Sequence, residues 1–211
     1  MRMSEKVMLG IVIISFIIAW YVWPLMPDAM PSHWNAAGEV DGYLPKLWGL
    51  MLFPFISLAL LLLFAAIPRI DPLKNNLEKS RGRFDTFVVI IMAFLLYIYL
   101  LTLAWALGLE LNIIQMMAPA LGIVFFYAGV LMRGLKKNWF VGIRTPWTMS
   151  SDKVWRKTHD RGAKLFMASG IIAVFGAVLQ DYAIWLIIAP VMASSVYAIA
   201  YSYLEFRKEQ G

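Results

Sequence analysis

Long stretches without a charged side chain alternate along this chain with short stretches that carry every charge. Six charge-free runs, Val7 to Pro27, Leu47 to Pro68, Thr86 to Leu109, Leu111 to Met132, Leu165 to Gln180 and Tyr182 to Leu204, measure 21, 22, 24, 22, 16 and 23 residues. About 20 apolar residues in a helix cross about 30 Å of hydrocarbon, and five of the runs reach that length. The fifth in order is short, but Lys164 at its start can snorkel while the bilayer thins to meet the span. Buried helices of a soluble protein would keep a polar face, and these runs are apolar all round. The pattern therefore predicts an all-α, polytopic integral membrane protein with six transmembrane helices.

Composition agrees: 61% of the 211 residues are hydrophobic and 15% are charged, against about 45–50% and about 25% in ordinary globular chains. Soluble enzyme folds, DNA-binding domains and disorder are excluded on the same ground. The absence of cysteine removes disulfides, thiolate catalysis and cysteine metal sites. Net charge is +6, and its distribution sets the topology. Successive segments between the runs, starting at the N-terminus, carry 2, 1, 5, 0, 9, 0 and 2 Lys and Arg. Alternate segments sum to 18 against 1, which predicts a multi-pass membrane protein with both termini cytoplasmic. The same asymmetry explains the basic total without nucleic acid, and no direct nucleic-acid binding is expected. The first run ends in Ala-Trp-Tyr-Val-Trp, without a small-residue cleavage site, and reads as an anchor that stays.

Two loops are too long to be plain connections. The outer one, Met26 to Lys46, has turn residues every few positions and reads as an ordered non-helical loop folded back on the helix ends. In the inner one, Arg133 to Lys164, residues 138–147 read as a short hairpin or an extended interfacial segment. Ser150 or Ser151 then caps a helix that continues through Val154, Trp155, Thr158 and His159 into the fifth span. Val154, Thr158, Arg161 and Leu165 lie three or four apart beside the stripe of Trp155 and His159, which predicts an amphipathic helix lying on the inner leaflet. The connector from Arg69 to Arg83 carries five cations suited to membrane lipids with anionic headgroups. Small residues recur every four positions at Ser169, Ala173 and Ala177, and again at Ser194, Ala198 and Ser202, predicting helix contacts; Pro190 predicts a kink in the last span.

The spans hold no carboxylate, His or Lys at depth, which argues against an ion-coupled pump or carrier. Their serines have no base within reach, which argues against an intramembrane hydrolase. His33 with Glu39 and Asp41 offers metal-type donors, but without the spacing of a site, and no metal or cofactor is expected. Two clusters at the membrane surfaces remain. The outer comprises His33, Trp34, Asn35, Asp41 and Lys46; the inner comprises Asn138, Arg144, Thr145, Trp147, Trp155, Thr158 and His159. Each can receive a partner or simply fix its loop. An interfacial enzyme, with Arg144 gripping an anion and His159 as acid or base, and a small-solute or lipid carrier are the alternatives to a binding protein.

The outer stretch Pro31-Ser-His-Trp-Asn-Ala-Ala-Gly-Glu-Val-Asp-Gly-Tyr-Leu-Pro-Lys46 resembles the loop motif of a bacterial membrane domain found just upstream of the SdpI family signature. The inner stretch Lys137-Asn-Trp-Phe-Val-Gly-Ile-Arg-Thr-Pro-Trp-Thr-Met-Ser-Ser-Asp-Lys-Val-Trp-Arg-Lys-Thr-His159 is similar to that signature. The motif positions are His33, Asn35, Gly38, Asp41, Gly42 and Lys46 outside, and Asn138, Gly142, Arg144, Thr145, Pro146, Trp155, Thr158 and His159 inside. Trp34 and Trp139 stand where the pattern has Phe or Tyr. The resemblance implies two units, a first membrane domain over residues 1–83 and an SdpI-like domain over 84–211. It also implies a non-enzymatic immunity and signalling protein of the bacterial cytoplasmic membrane that meets a secreted peptide toxin outside and holds a transcriptional repressor at the membrane inside.

Overall fold

The computed structural model describes all 211 residues. Helix α1 (Met3–Val22) leads into a hairpin of β1 (Ala29–Trp34) and β2 (Val40–Pro45), followed by α2 (Lys46–Ile70), a short α3 (Lys74–Glu78) and α4 (Arg81–Ala106). Then come α5 (Ile113–Met132), the single turn α6 (Pro146–Ser150), α7 (Asp152–Val174) and α8 (Ala183–Gln210). The chain is predominantly helical, and the two-stranded hairpin is the departure from an all-α reading. The outer loop is ordered and non-helical as its turn residues require, and its order comes from an antiparallel ladder that pairs Met30 with Leu44 and Trp34 with Val40.

Five helical segments are long and apolar enough to cross a membrane: Met3–Leu25, Lys46–Ile70, Arg81–Ala106, Ile113–Met132 and Gln180–Gln210. Helix α7 differs from the expected fifth span. It starts at Asp152, thirteen residues before the charge-free run begins, and its α-helical part stops at Val174, where a 3₁₀ turn (Phe175–Ala177) takes over. Charges fill its first half and apolar residues its second.

The expected interfacial helix is corrected by the same element. Ser151 does cap it, its Oγ accepting from the Val154 N–H at 3.2 Å. The helix continues unbroken into the apolar run, as expected, but Val154, Trp155, Thr158 and His159 are each no more than 2% exposed. That stripe is covered by protein rather than resting on a leaflet. Its first-half charges occupy the opposite face, which is why its period looked amphipathic. Residues 138–147 form neither a hairpin nor an extended segment; they are a bent loop ending in α6.

Helices α5 and α7 approach until their backbones touch. A Cβ on Gly122 would lie 2.7 Å from the Gly170 carbonyl oxygen, and one on Gly129 would lie 2.5 Å from that of Ala163. Each pair sums to 292, the register of an antiparallel crossing, and only small residues permit it. The small-residue stripes on α7 and α8 do meet, with Ser169 Oγ 2.9 Å from Ser194 Oγ and both Ala173 and Ala198 buried. Pro190 lies inside an α8 that is helical from Ala183 to Gln210.

Two cores sit at opposite ends of the bundle. At the hairpin end, Ala19, Met26, Met30, Leu50, Tyr99 and Leu103 pack together. At the basic end, Met8, Leu77, Phe84, Leu131, Leu135 and Trp155 belong to one cluster. Helix α4 thus packs with α1 and α2 as well as with α5. The connector's cations do not all face outward: Arg69 binds the buried Glu5 at 2.6 Å, and Arg81 binds Asp85 at 2.7 Å. Arg83 donates to the Arg133 carbonyl and to Ser80 Oγ, so three of the five expected lipid contacts are bonds within the protein.

Candidate functional site

At the hairpin end, Asn35 closes the loop. Its Oδ1 accepts from the Ala37 and Glu39 N–H groups at 2.9 and 3.0 Å, and its Nδ2 donates to Glu39 Oε2 at 2.9 Å. Gly38 follows in the left-handed region at φ +84°, where a Cβ would be strained and would strike Asn112. Asn112 caps α5 through its Oδ1 and donates from Nδ2 to the Ala37 carbonyl at 3.3 Å, so the hairpin tip rests on the start of α5.

The strands deliver the other outer residues. The ladder slips between Pro31 and Trp34, which pairs His33 with Gly42; a Cβ on Gly42 would lie 2.9 Å from the His33 Cβ. His33 Nδ1 meets Asp41 Oδ1 at 2.5 Å, with both side chains substantially exposed. Glu39 is engaged by Asn35, so His33 and Asp41 stand as a solvent-facing pair and not as part of a larger ligand set. Trp34 turns inward among Ile98, Leu101 and Ile113, and its indole N–H is buried without a partner. Lys46 begins α2 and sits 5.4 Å from the centroid of the Trp23 ring. Of the five outer candidates, His33 and Asp41 are the ones that face outward in contact with each other.

At the basic end, the inner candidates assemble around one loop. Asn138 is fully buried with both amide atoms used: Oδ1 accepts from the Phe140 and Val141 N–H groups at 3.0 and 2.7 Å, and Nδ2 donates to the Lys136 and Val141 carbonyls. His159, on α7, reaches back to the same loop. Its Nε2 accepts from the Ile143 N–H at 3.0 Å, so Nδ1 carries the proton and donates to the Trp155 carbonyl at 2.8 Å. Burial pushes the imidazole down from its ordinary 6.5 to about 4, outweighing the Trp155 hydrogen bond, and the ring is neutral at pH 7. Gly142 allows this contact: its φ is +106°, and a Cβ there would run into His159 Nε2.

Trp155 stacks on His159 at 4.0 Å and donates its indole N–H to the Leu135 carbonyl at 2.7 Å. Thr145 caps α6 in a reciprocal pair with Thr148, and its hydroxyl lies 3.0 Å from Ser202 Oγ on α8. Trp147 packs on Tyr203 at 5.1 Å. Thr158 is fully buried with its hydroxyl unpartnered. Arg144 is exposed and donates to the Trp139 carbonyl. Both nitrogens of His159 are occupied by backbone, so it offers no free lone pair for acid or base work as the loop stands. The loop presents Arg144 outward and keeps Asn138, Thr145, Thr158 and His159 inside.

Comparison with known proteins places these residues. Residues 134–202 match the SdpI/YfhL protein family, and residues 10–58 match a domain of unknown function, DUF1648. The SdpI/YfhL match covers 69 of the 211 residues. The family match begins at the loop built on Asn138 and ends at Ser202, the residue that meets Thr145. The DUF1648 match contains the hairpin. Immunity protein SdpI of Bacillus subtilis (strain 168) is 27% identical over 203 residues, covering 95% of this chain and 95% of that protein. No solved structure matches the chain.

Three further residues hold the loops to the rest of the chain and escape a reading by motif. Asp71 is 2% exposed; its Oδ1 accepts from the Leu73 N–H at 2.7 Å and its Oδ2 from the Trp139 N–H at 3.1 Å. Asn76 donates to the Lys137 carbonyl at 3.0 Å. An Asp two residues before the N–H that it accepts from, followed by Pro, is a turn signal visible in sequence. Its second bond, to Trp139 far along the chain, is not. Asn112 plays the equivalent part for the hairpin.

Proposed function

We propose that this protein is a multi-pass immunity protein of the bacterial cytoplasmic membrane, which binds an apolar, membrane-active peptide toxin of the SDP type from outside and is not an enzyme. The observation that carries this reading is the end-to-end similarity to Immunity protein SdpI. The form of the molecule supports it: a rigid hairpin with an exposed His33–Asp41 pair at one end, a tightly built loop presenting Arg144 at the other, and charge-free spans between. Binding at the hairpin sequesters the peptide before it permeabilises the bilayer. At the basic end, the same reading has the cationic face hold an acidic surface of a transcriptional repressor.

In this reading the second half of α7, from Leu165 through the following 3₁₀ turn, crosses as a short sixth span, and both termini are cytoplasmic. The split of 18 Lys and Arg against 1 supports that orientation. The chain contains no cysteine, so single cysteines at Ala36 and Ser150 report topology directly. A membrane-impermeant maleimide should label intact cells at position 36 and leave position 150 unlabelled.

The function itself is tested by expressing the chain in a toxin-sensitive bacterium and counting survivors. Protection is expected, and His33→Ala or Asp41→Ala should reduce it at unchanged membrane abundance. Unchanged killing with the protein confirmed in the membrane would sink the immunity reading.

A further inference from the structure

At the basic end, a cleft of about 490 Å³ opens between α3, the loop after α5 and the first turns of α7. Five cations line it, Lys79, Lys136, Lys137, Lys153 and Arg156, against the carboxylates of Asp152 and Asp160. Five minus two leaves a formal +3. Lys137 is neutralised by Asp152 at 2.6 Å. The other four cations form no ion pair, and Asp160 binds none of them. Outside the cleft, Arg2, Arg69, Arg81, Lys157 and Lys208 have carboxylate partners and other cations do not; what sets the cleft apart is that four unpaired cations share one recess.

The walls are fixed by bonds that do not involve these charges. Trp155 holds the Leu135 carbonyl, and Asn76 holds the Lys137 carbonyl. Like charges brought together by a rigid frame repel unless an anion enters among them. A neighbouring cleft between α7 and α8 makes the contrast: there Lys157 is taken by Glu205, and Arg161 by Tyr197 and the Tyr201 ring. Lys79, Lys136, Lys153 and Arg156 of the first cleft have no such partner.

Several ammonium donors plus one guanidinium suit a tetrahedral oxyanion, the ammoniums as point charges and Arg156 as a two-pronged donor. The cleft lies beside the end of α5, at Met132, where a spanning helix meets headgroups, and it also opens to solvent. We propose that it binds a phosphate-bearing ligand, supplied either by the headgroup of an anionic phospholipid or by a soluble phosphate ester. This does not depend on the immunity reading, and a protein that fails to protect cells can still bind phosphate here.

The test uses the full chain, delipidated in a neutral detergent, with thermal unfolding followed at constant ionic strength. The probes are glycerol 3-phosphate and dihexanoyl phosphatidylglycerol, with dihexanoyl phosphatidylcholine as the zwitterionic control. A saturable rise in Tm with phosphatidylglycerol beyond the control is expected. A matching rise with glycerol 3-phosphate assigns a general phosphate-ester site, whereas a rise with the lipid alone assigns the headgroup. Lys136→Gln combined with Arg156→Gln should raise Kd at least about tenfold. Asp160→Asn should lower it. Lys6→Gln with Lys164→Gln removes the same charge at exposed positions outside the cleft and should leave Kd within about twofold. All of these positions are exposed, so the unliganded Tm should stay near wild type and report on folding. The proposal is overturned if neither phosphate probe gives a saturable shift, if the control lipid does as well, or if the distant double variant weakens binding as much as the cleft variant.

Discussion

His159 concentrates the residue-scale argument. Its neutral ring accepts one backbone N–H and donates to one carbonyl, and protonation would destroy the acceptor. The folded imidazole titrates at about 4 and the unfolded one at its ordinary 6.5. The unfolded state therefore binds more protons between those values. The contribution is present in full above about pH 6.5 and is lost as pH falls toward 4, on the order of 3 kcal/mol across the window. Thermal midpoints measured from pH 7 to 4.5 should fall, and His159→Gln should flatten the part of the slope above pH 5. Gly142→Ala meets both a left-handed φ and His159 Nε2, so a loss of at least about 2 kcal/mol is expected, seen as reduced Tm and membrane abundance. Trp34→Phe removes a buried indole N–H that has no partner, and Thr158→Val does the same for a hydroxyl. Both should be neutral or stabilising by up to about 1 kcal/mol, and a marked Tm loss in either would show that the group is hydrogen-bonded after all. The residue types at these sites were legible as motif positions. Their burial was not, because it depends on Gly142 meeting His159 and on Asp71 meeting Trp139 across the chain.

Among elements, the α5–α7 contact decides most. Backbone oxygens of Gly170 and Ala163 occupy the space that side chains at 122 and 129 would need. Gly122→Val should therefore separate the pair and strip the loop above it of support, read as loss of the monodisperse species in detergent. Gly10 in α1 has open space where a Cβ would stand, and Gly10→Ala should leave that species intact. The five longest apolar elements were legible from the charge-free runs alone, since hydrocarbon demands just that pattern. The hairpin strands were not, because Pro31 and Gly42 interrupt the alternation that marks a strand, and its buried side rests chiefly on Met30 and Trp34. The apparent surface helix failed for a related reason. Helical periodicity locates an apolar face, but a bilayer and a distant loop of the same protein folded over that face look the same in one dimension.

For the whole molecule, charge placement is the organising fact. Buried acids at the basic end are held by cations from the same or other elements, Glu5 by Arg69 and Glu205 by Lys157 and Lys208, so part of the positive charge there is built into the fold. Arg69→Ala should strand Glu5 in a nearly closed site and lower Tm by more than Lys6→Ala, whose side chain is exposed. Sequence exposed the asymmetry of charge, since it needs only counting. Which cations are spent internally and which stay free required the fold, because most partners lie on different helices. The contact of the hairpin tip with Asn112 also has a meaning in time. Gly38 leaves the ribosome 74 residues before Asn112, a delay of roughly 4 to 15 s at about 5–20 residues per second. Through that interval the outer loop has no dock, and the Asn35 turn with the strand ladder must keep it closed until the second half arrives.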